Sequence, residues 1–414
     1  MTDIDELEVA AFSASGHFDR HFYAAAYPDV AESGLDPAFH FLWLGARLGR
    51  LPSPPKPLLN TRTTHDLDVL LVDGTNGTSS TPYRIDRVAR AIADLGARVR
   101  CVEGAEVSHL SNELPSVRYV TFFRAPFVEP YSSFARQMRG RGSRIVFDVD
   151  DLIFDPDQIP KIDGYRHLSQ VEKVGYRRGV RAYRDFIFYA DFCTAPTEYL
   201  ADQMRCLGKR ARRVRNTIDQ AEIERFRRPT HRSEQGNLVI GYYCGSKTHQ
   251  ADFRNAAEAL VRFMAENSSV SFRLVGQLDL DEYTPLRDNE RVTALPTMDH
   301  SVMLQDQLQC DLVIAPLEVG NPFCEAKSEL KFFEASLARR PVIASRTRTF
   351  SEATLGGQLA LLADTPDEWL EAFRTVSRNR KQVRIVADRA HGYVIDNYGA
   401  EAVGRDAVLA YSDA

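Results

Sequence analysis

Two lysines and a glutamate follow a predicted buried strand in an order that suits a ligand with a diphosphate group. The apolar run Leu312–Ala315 predicts the strand, and a loop and then a helix are predicted after it. Lys327, Lys331 and Glu334 fall near the start of this helix, and residues four apart share a helix face. Lysines and free helix amides bind anions, and a carboxylate accepts hydrogen bonds from sugar hydroxyls. The segment therefore predicts a nucleoside-diphosphate site.

Four segments in the chain together resemble a known family. They are residues 147–154 (FDVDDLIF), 214–219 (VRNTID), 240–249 (IGYYCGSKTH) and 321–345, which begins NPFCEAKSELK. In this order they resemble the retaining glycosyltransferases of family 4, over about residues 66–398. The resemblance implies a GT-B fold, in which two Rossmann-like α/β domains face a cleft. It also implies a nucleotide-sugar donor as substrate, with no further cofactor.

The resemblance implies roles for the residues around the predicted helix. Glu334 matches the glutamate that holds the donor ribose, and Lys327 with Ser328 replaces a glutamate that the family often carries eight residues earlier. Lys327, Lys331 and Glu334 are therefore the predicted catalytic residues, and the two lysines are expected to stabilise the departing diphosphate. Ser328 and the backbone at Leu330 are predicted to bind the donor, because the first amides of a helix have no acceptor within it.

A second loop with phosphate-binding character follows the predicted strand at residues 238–243. It consists of small, hydroxyl and basic residues, namely Gly245, Ser246, Lys247, Thr248 and His249. A strand-to-helix loop of this kind can surround a phosphate group, so we predict donor contacts here. The resemblance implies a basic residue in this loop, which Lys247 or His249 would supply. A structural role for His249 beside a helix N-terminus is the alternative.

Three carboxylates, Asp148, Asp150 and Asp151, follow the predicted strand at residues 144–147. Such a group is typical of a metal site, and transferases of the GT-A class hold Mn²⁺ with an Asp-x-Asp motif. Here a complete α/β domain with phosphate-binding signals follows the motif, and in the resembling subgroup the motif faces the cleft. We therefore predict that the aspartates position the acceptor or form the cleft wall. A Mn²⁺ site and a plain surface cluster stay as alternatives.

A turn-rich loop at residues 74–84 follows the first predicted strand. Gly77 in this loop would let a ligand approach the backbone closely. The resemblance implies that the loop, which ends at Arg84, meets the acceptor and the donor sugar. Arg124 ends another predicted strand at the expected cleft. We predict these three residues as acceptor or cleft residues, although either arginine could instead form a salt bridge.

Strand and helix patterns alternate over most of the chain and predict an α/β protein with parallel sheets. We predict an acceptor-side Rossmann-like domain at residues 65–220 and a nucleotide-sugar-binding one at residues 221–390. A C-terminal helix at residues 391–414 could cross back to the first domain, as it does in GT-B enzymes. The predicted strands cover residues 67–73, 98–102, 118–123, 144–147, 192–195, 238–243, 271–275, 292–295, 312–315, 341–344 and 360–362.

Residues 1–64 are predicted to form a separate small helical module with a proline-rich linker at its end. Aromatic residues at helical spacing predict two or three short helices. The pattern resembles a module that precedes glycosyltransferase domains in some surface-polysaccharide proteins. His40 and Arg50 could bind a ligand, but packing and capping are the favoured interpretation. Such a module would recruit a partner glycosyltransferase or a long acceptor.

Composition restricts the remaining function classes. The 414 residues carry a net charge of −5, which gives no support for nucleic-acid binding. Six scattered cysteines without CxxC spacing argue against structural zinc and suit a reducing cytoplasm. The sequence predicts no signal peptide and no membrane span. Basic runs at residues 136–144, 177–184 and 209–215 predict solvated helix faces, with peripheral contact to the inner face of the membrane as the alternative.

These observations together predict a cytoplasmic, retaining, metal-independent glycosyltransferase of hexosyltransferase type. It would move a sugar from a nucleotide-sugar donor to a glycan or lipid-linked acceptor in surface polysaccharide biosynthesis. A metal-dependent GT-A-like transferase that uses Asp148 and Asp150 is one alternative. A non-catalytic glycan-binding scaffold with a degenerate GT-B body is another, because the family's first glutamate is missing and an N-terminal module is present.

Overall fold

The structure is a computed structural model that describes most of the chain. It describes residues 9–10, 12–13, 18–45, 50, 52, 66–110, 114, 116–161, 165, 168–230, 236–245 and 250–412. The chain divides into two compact units, one of Met1–Thr63 with Val408–Ala414 and one of Thr64–Ala407. The predicted donor residues Ser246, Lys247, Thr248 and His249 lie outside the described residues.

Short helices surround an aromatic core in the described part of the smaller unit. They are α1 (Arg20–Ala26), α2 (Pro28–Ser33) and α3 (Pro37–His40), and a π-helical turn, Phe41–Gly45, continues α3. The buried phenol of Tyr23 lies 3.0 Å from Nδ1 of His40. Arg50 pairs with Asp29 at 2.7 Å and covers the ring of Tyr27. His40 and Arg50 therefore stabilise this unit, as the favoured interpretation expected.

The first half of the larger unit contains a six-stranded parallel sheet. Its strands are β1 (Leu67–Asp73), β2 (Val99–Glu103), β3 (Val117–Phe123), β4 (Arg144–Asp148), β5 (Phe192–Ala195) and β6 (Ala211–Arg213). The order across the sheet is β2-β1-β3-β4-β5-β6. The central strands are apolar runs buried on both faces, as expected where helices cover both sides of a parallel sheet.

The second half contains another six-stranded parallel sheet. Its strands are β7 (Leu238–Cys244), β8 (Val270–Gly276), β9 (Val292–Leu295), β10 (Leu312–Ala315), β11 (Val342–Ser345) and β12 (Leu361–Ala363). The order is β12-β11-β10-β7-β8-β9. The strand order reverses between β1 and β3 in the first sheet and between β7 and β10 in the second. At such points the connections diverge and leave a crevice at the carboxyl ends of the strands.

Helices connect the strands of both sheets. They are α4 (Arg87–Asp94), which continues a π-helical turn at Pro82–Asp86, α5 (Val107–Leu110), α6 (Tyr131–Gly140), α7 (Gln170–Tyr189), α8 (Glu198–Cys206), α9 (Gln220–Arg225), α10 (Arg254–Glu266), α11 (Thr284–Arg287), α12 (His300–Asp306), α13 (Pro322–Ala326), α14 (Leu330–Leu337), α15 (Arg348–Ala353), α16 (Pro366–Arg378), α17 (Arg380–Tyr398) and α18 (Ala400–Ser412). The two parallel sheets with their helices confirm the predicted α/β fold class with two Rossmann-like domains.

The chain returns from the second domain to the first at its C-terminal end. The hydroxyl of Thr217 donates to the carbonyl of Tyr398 at 2.8 Å, where α17 ends. Asp406 of α18 then pairs with Arg215, just beyond β6, at 2.8 Å. Gly404 lies so close to α4 that an added Cβ would come within 2.5 Å of a backbone oxygen there. The end of the chain thus joins the two domains.

Candidate active site

The predicted helix with both lysines is interrupted in the structure. Helix α13 ends at Ala326, Lys327 follows with φ −59° and ψ 136°, and α14 begins only at Leu330. Lys327 and Lys331 therefore do not share a helix face, and this part of the prediction is wrong. Lys327 instead lies in the turn between the two helices, directed toward the other domain.

Hydrogen bonds from outside the segment hold this break. The side-chain amide of Asn216 donates to Oγ of Ser328 at 3.1 Å. The hydroxyl of Thr197 donates to the carbonyl of Ala326 at 3.4 Å. A helix-end carbonyl that is satisfied from elsewhere needs no further intrahelical donor, so the chain can turn here. Spacing within the segment carries no information about these partners.

The start of α14 presents unpaired hydrogen-bond donors. Lys331 is half-buried, and among the described residues its ammonium group has no ion pair or hydrogen bond. The backbone amides of Leu330 and Lys331 also lack an acceptor in the described part of the chain. Glu329 at the N-cap makes no capping hydrogen bond with its side chain. One cation and two amides thus meet at one helix end, which is a favourable place for an anionic group.

Glu334 lies about one turn further along α14 and is held by side chains from both domains. The phenol of Tyr83, from the first domain, donates to Oε1 of Glu334 at 2.5 Å. Nε2 of His300 lies 3.0 Å from the same oxygen, and its Nδ1 lies 3.2 Å from Oε1 of Glu222. Arg87 stacks on the Tyr83 ring at 4.5 Å and pairs with Glu222 at 2.7 Å. We call these five residues the Glu334 cluster.

The charges in the Glu334 cluster fix the direction of its hydrogen bonds. Burial alone would lower the pKa of His300, but hydrogen bonds to Glu222 and Glu334 outweigh burial and raise the pKa to about 9. His300 is therefore protonated at neutral pH and donates from both ring nitrogens. Burial and the charge of Glu334 raise the pKa of Tyr83 well above its usual value, so the phenol remains a donor.

Two donors thus converge on one oxygen of Glu334 and leave the other available. Among the described residues, Oε2 of Glu334 receives no hydrogen bond. A carboxylate whose orientation is fixed through one oxygen can accept a ligand hydroxyl on the other. The sequence did not predict Tyr83 or His300 as site residues. His300 is an isolated histidine with no motif around it, and the only signal at Tyr83 was its position before Arg84.

Each of the three predicted cleft aspartates is paired with a cation. Asp148 binds Arg84 through two hydrogen bonds of 3.0 and 2.5 Å, and both side chains are almost fully buried. Asp150 binds Arg124, which lies just beyond β3.

Asp151 accepts a hydrogen bond from Nζ of Lys327 at 2.9 Å, across the two domains. Asp151 raises the pKa of Lys327, so this lysine stays charged. Burial raises the pKa of Asp151, but Lys327 and Arg124 outweigh it and the pKa is lowered.

These pairs separate the predicted cleft residues into two groups. Arg84 also donates to the carbonyl of Val214, so its buried pair with Asp148 supports the cleft wall. Asp151 and Lys327 are only partly buried and connect the two domains. Of these two lysines, Lys331 is therefore the one whose charge is not already engaged within the described residues.

The predicted loop glycines lie where close approach of a ligand is possible. Gly77 has φ +87°, and an added Cβ would meet no atom within 4 Å. Both carboxylate oxygens of Asp73 organise this loop, and one accepts the Gly77 amide at 3.1 Å. Gly245 is exposed immediately after β7, at the reversal of strand order in the second sheet. Both glycines thus lie at carboxyl ends of strands, where open α/β sheets bind ligands.

A grouping of possible metal ligands within the described residues lies elsewhere, at Asp252, Glu318 and Cys324. The thiol of Cys324 donates to Asp252 at 3.0 Å. Burial raises the pKa of Cys324 well above its usual value, so the sulfur remains a thiol. Asp252 also accepts a hydrogen bond from the amide of Glu318 at 3.4 Å, so it connects the turn before α10 with the loop before α13 and with α13 itself.

Comparison with family models gives no match, and no curated protein matches the chain by sequence. Solved structures do match. HepE of Anabaena with UDP and glucose is 14% identical, with a TM-score of 0.56, over 84% of this chain and 100% of HepE. A glycosyltransferase from Rickettsia africae is 11% identical, with a TM-score of 0.58, over 84% of this chain and 98% of that one.

A Listeria monocytogenes protein described as a UDP-N-acetylglucosamine 2-epimerase also matches. It is 11% identical, with a TM-score of 0.51, over 82% of this chain and 94% of that one. At such identities the likeness shows the fold alone. The chain shares the two-domain GT-B fold with glycosyltransferases and with this protein.

Proposed function

We propose that the chain is a retaining glycosyltransferase with a nucleoside-diphosphate sugar as donor. The observation that carries the proposal is the arrangement on α14. Lys331 and the two unpaired amides offer positive charge for a diphosphate, and Oε2 of Glu334 lies about one turn away for a ribose hydroxyl. HepE, with the same fold, has been crystallised with UDP-glucose, which supports a donor of this class.

The proposed chemistry depends on stabilising the leaving group. The bond between the sugar C1 and the diphosphate oxygen breaks, and C1 bonds to the acceptor oxygen on the same face. The acceptor proton passes to the departing phosphate oxygen. Lys331 and the amides of Leu330 and Lys331 stabilise the negative charge that develops on the diphosphate. This route needs no protein nucleophile, which agrees with a site made of cations and amides.

We propose that the reaction does not depend on a metal. Asp148, Asp150 and Asp151 each bind a protein cation, and these pairs occupy the carboxylates that a GT-A-like Mn²⁺ site would use. We expect transfer to continue in EDTA. Loss of activity in EDTA with recovery in Mn²⁺ would favour the metal-dependent alternative.

The proposed acceptor is a glycan or a lipid-linked saccharide in surface polysaccharide biosynthesis. The resemblance of residues 1–64 to a module of surface-polysaccharide proteins supports this role, as does membership of family 4 suggested by the four motifs. A partner glycosyltransferase and a cytoplasmic location at the membrane surface belong to the same proposal.

One assay separates the proposal from its alternatives. Purified protein is incubated with a panel of nucleotide sugars and with free or lipid-linked glycans, and both released nucleoside diphosphate and sugar products are identified. A glycoside with the donor's anomeric configuration is the expected product. An epimerised sugar nucleotide would indicate an epimerase, and an inverted product would overturn retention. Absence of both turnover and nucleotide binding would favour a glycan-binding scaffold.

A single substitution tests the assigned ribose contact. Glu334→Gln replaces a carboxylate with an amide of similar shape, so nucleoside-diphosphate affinity should fall. Inorganic pyrophosphate has no ribose and should bind both proteins equally well. An equal loss for both ligands would show that Glu334 acts through the structure and does not contact ribose.

A further inference from the structure

Helix α7 exposes large apolar side chains that the proposed reaction does not use. Val171 is 83% exposed, Val174 is 67% exposed and Phe188 is 51% exposed. Their spacings of three and fourteen residues place them on one helix face together with exposed Arg178, Arg181 and Asp185. From Val171 to Phe188 this stripe extends about 25 Å at 1.5 Å per residue. We call these six residues the α7 stripe.

Helix α7 is basic in a chain that is acidic as a whole. Helix α7 contains five basic residues, Lys173, Arg177, Arg178, Arg181 and Arg184, and two acidic residues, Glu172 and Asp185, so its net charge is +3. The whole chain has a net charge of −5. Within the described residues, Arg178 and Arg181 form no ion pair or hydrogen bond. The excess of basic residues is thus local to this helix, and Asp185 offsets part of it on the α7 stripe.

The opposite face of α7 is anchored in the first domain next to the cleft. Phe186 packs edge-on against Phe147 of β4 at 5.4 Å between ring centroids. Strand β4 leads directly to Asp150 and Asp151, which bind Arg124 and Lys327. The helix cannot turn its apolar stripe inward without losing this packing. The α7 stripe is therefore a fixed outer surface of the same element that supports the cleft.

We propose that the α7 stripe docks on a bilayer that contains anionic phospholipid. Apolar side chains on such a helix enter the interface, and arginines between them bind lipid phosphates. Charge complementarity favours this occupant, because two arginines and a single carboxylate lie between the apolar ends of the stripe, and the whole helix has a net charge of +3. Among the described helices none is both long enough and apolar enough to cross a bilayer, and docking requires no such helix.

Docking would place the mouth of the cleft at the membrane, where a lipid-linked acceptor lies. This consequence rests on the proposed function, whereas lipid binding itself does not. Vesicle binding and nucleotide binding are measured separately, so failure of one is distinguishable from failure of the other.

The test is co-sedimentation of the full chain with vesicles of phosphatidylcholine alone or with about 30% phosphatidylglycerol. We expect binding to the anionic vesicles only, and weaker binding as salt is raised. Arg178→Glu with Arg181→Glu should lower the partition coefficient at least about tenfold, because each basic residue near the surface contributes to attraction. Arg378→Glu with Lys381→Glu makes the same charge change on exposed residues of the second domain and should have little effect.

A second pair of variants tests the apolar part of the α7 stripe. Val171→Gln with Val174→Gln replaces two apolar side chains by polar ones of good helix propensity and leaves the charge unchanged. This pair should also weaken binding. Val302→Gln with Ile385→Gln, at other exposed apolar positions, is the control. Equal losses in test and control variants would overturn the assignment to α7. Wild-type protein that does not bind anionic vesicles, or binds neutral ones equally, would overturn the proposal and favour a protein partner for this face.

Discussion

In the proposed donor site, the orientation of the Glu334 carboxylate is fixed without a ligand. Tyr83 and His300 both donate to Oε1, and Arg87 with Glu222 fixes the positions of these two donors. Tyr83 belongs to the first domain and His300 to the second, so the orientation of Glu334 depends on the relative position of the two domains. Binding through a pre-oriented group loses less conformational entropy than binding through a free one.

Lys331→Ala should weaken the binding of a nucleoside diphosphate. A charge-assisted hydrogen bond contributes roughly 1.5–3 kcal/mol, which corresponds to roughly a 10- to 150-fold loss in affinity. Titration calorimetry measures the change, and thermal unfolding should stay close to that of the wild type. Lys381→Ala, at an exposed position of α17, is the matched control. Unchanged affinity in Lys331→Ala would remove the diphosphate from the start of α14.

Tyr83→Phe should reduce nucleoside-diphosphate affinity without removing the aromatic ring from its packing. The ring contacts Arg87 and Phe333, and both contacts survive the substitution. The lost hydrogen bond lets Glu334 reorient, so we expect a loss of about 0.5–1.5 kcal/mol. Pyrophosphate affinity should not change, because that ligand does not need the carboxylate. A parallel loss for pyrophosphate would mean that Tyr83 positions the whole of α14.

His300 should make stability depend on pH. Its pKa is raised from 6.5 to about 9 in the folded protein, so its contribution is fully present below about pH 6.5. That contribution is lost as pH rises through about 9. The difference in melting temperature between wild type and His300→Gln should therefore shrink between these pH values. A difference that stays constant over this range would show that His300 is not charged in the folded state.

At the scale of elements, the break between α13 and α14 decides what the two lysines do. The break directs Lys327 to Asp151 in the first domain and leaves Lys331 at the start of α14. The two positions that a continuous helix would have placed side by side thus serve different elements. One joins the domains, and the other is available to a ligand.

A double-mutant cycle between Lys327→Gln and Asp151→Asn should reveal this connection. The pair is partly buried, and contacting charges of this kind couple by about 0.5–3 kcal/mol in the free energy of unfolding. Chemical denaturation of the wild type, both single variants and the double variant gives the coupling energy. Arg374 and Glu266, an exposed pair within the second domain, form the comparison cycle and should couple by less than about 1 kcal/mol. Additive effects at Lys327 and Asp151 would contradict a bridge between the domains in solution.

At the scale of the whole molecule, the larger unit contains all the described groups of the candidate site. Two sheets with similar strand orders contribute the loops, and the end of the chain ties the second domain to the first through Asp406 and Arg215. The smaller unit has its own aromatic core around Tyr23 and Phe41. Separate cores predict that the two units can be altered independently.

Removal of residues 1–60 should leave donor binding intact. All proposed donor contacts belong to the larger unit, so nucleoside-diphosphate affinity should stay within about twofold of the wild type, while transfer to the native acceptor should fall. Calorimetry and the transfer assay measure these two properties. Residues 408–414 belong to the same compact unit as the deleted segment, so this end of α18 should lose packing. A folded variant that no longer binds nucleotide would place the module in the donor site.

The sequence alone determined most strands of the two sheets, because the central strands are apolar runs buried on both faces. The predicted bounds 192–195 and 292–295 are those of β5 and β9. Strand β6 (Ala211–Arg213) was not predicted, since its three residues include two arginines and show no apolar pattern. The resemblance of four motifs, in their order along the chain, to family 4 glycosyltransferases implied the GT-B arrangement.

Only the tertiary structure decided how the site residues combine. Asn216 and Thr197 hold the break that separates Lys327 from Lys331, and Tyr83 and His300 reach Glu334 from elsewhere in the chain. A pattern along the sequence indicates the secondary structure of a segment and which of its residues are buried, because both depend on neighbouring residues. Hydrogen-bond partners that are far apart in the sequence, such as Tyr83 and Glu334, depend on how the two folded domains face each other. That arrangement leaves no periodic pattern in the sequence around either residue.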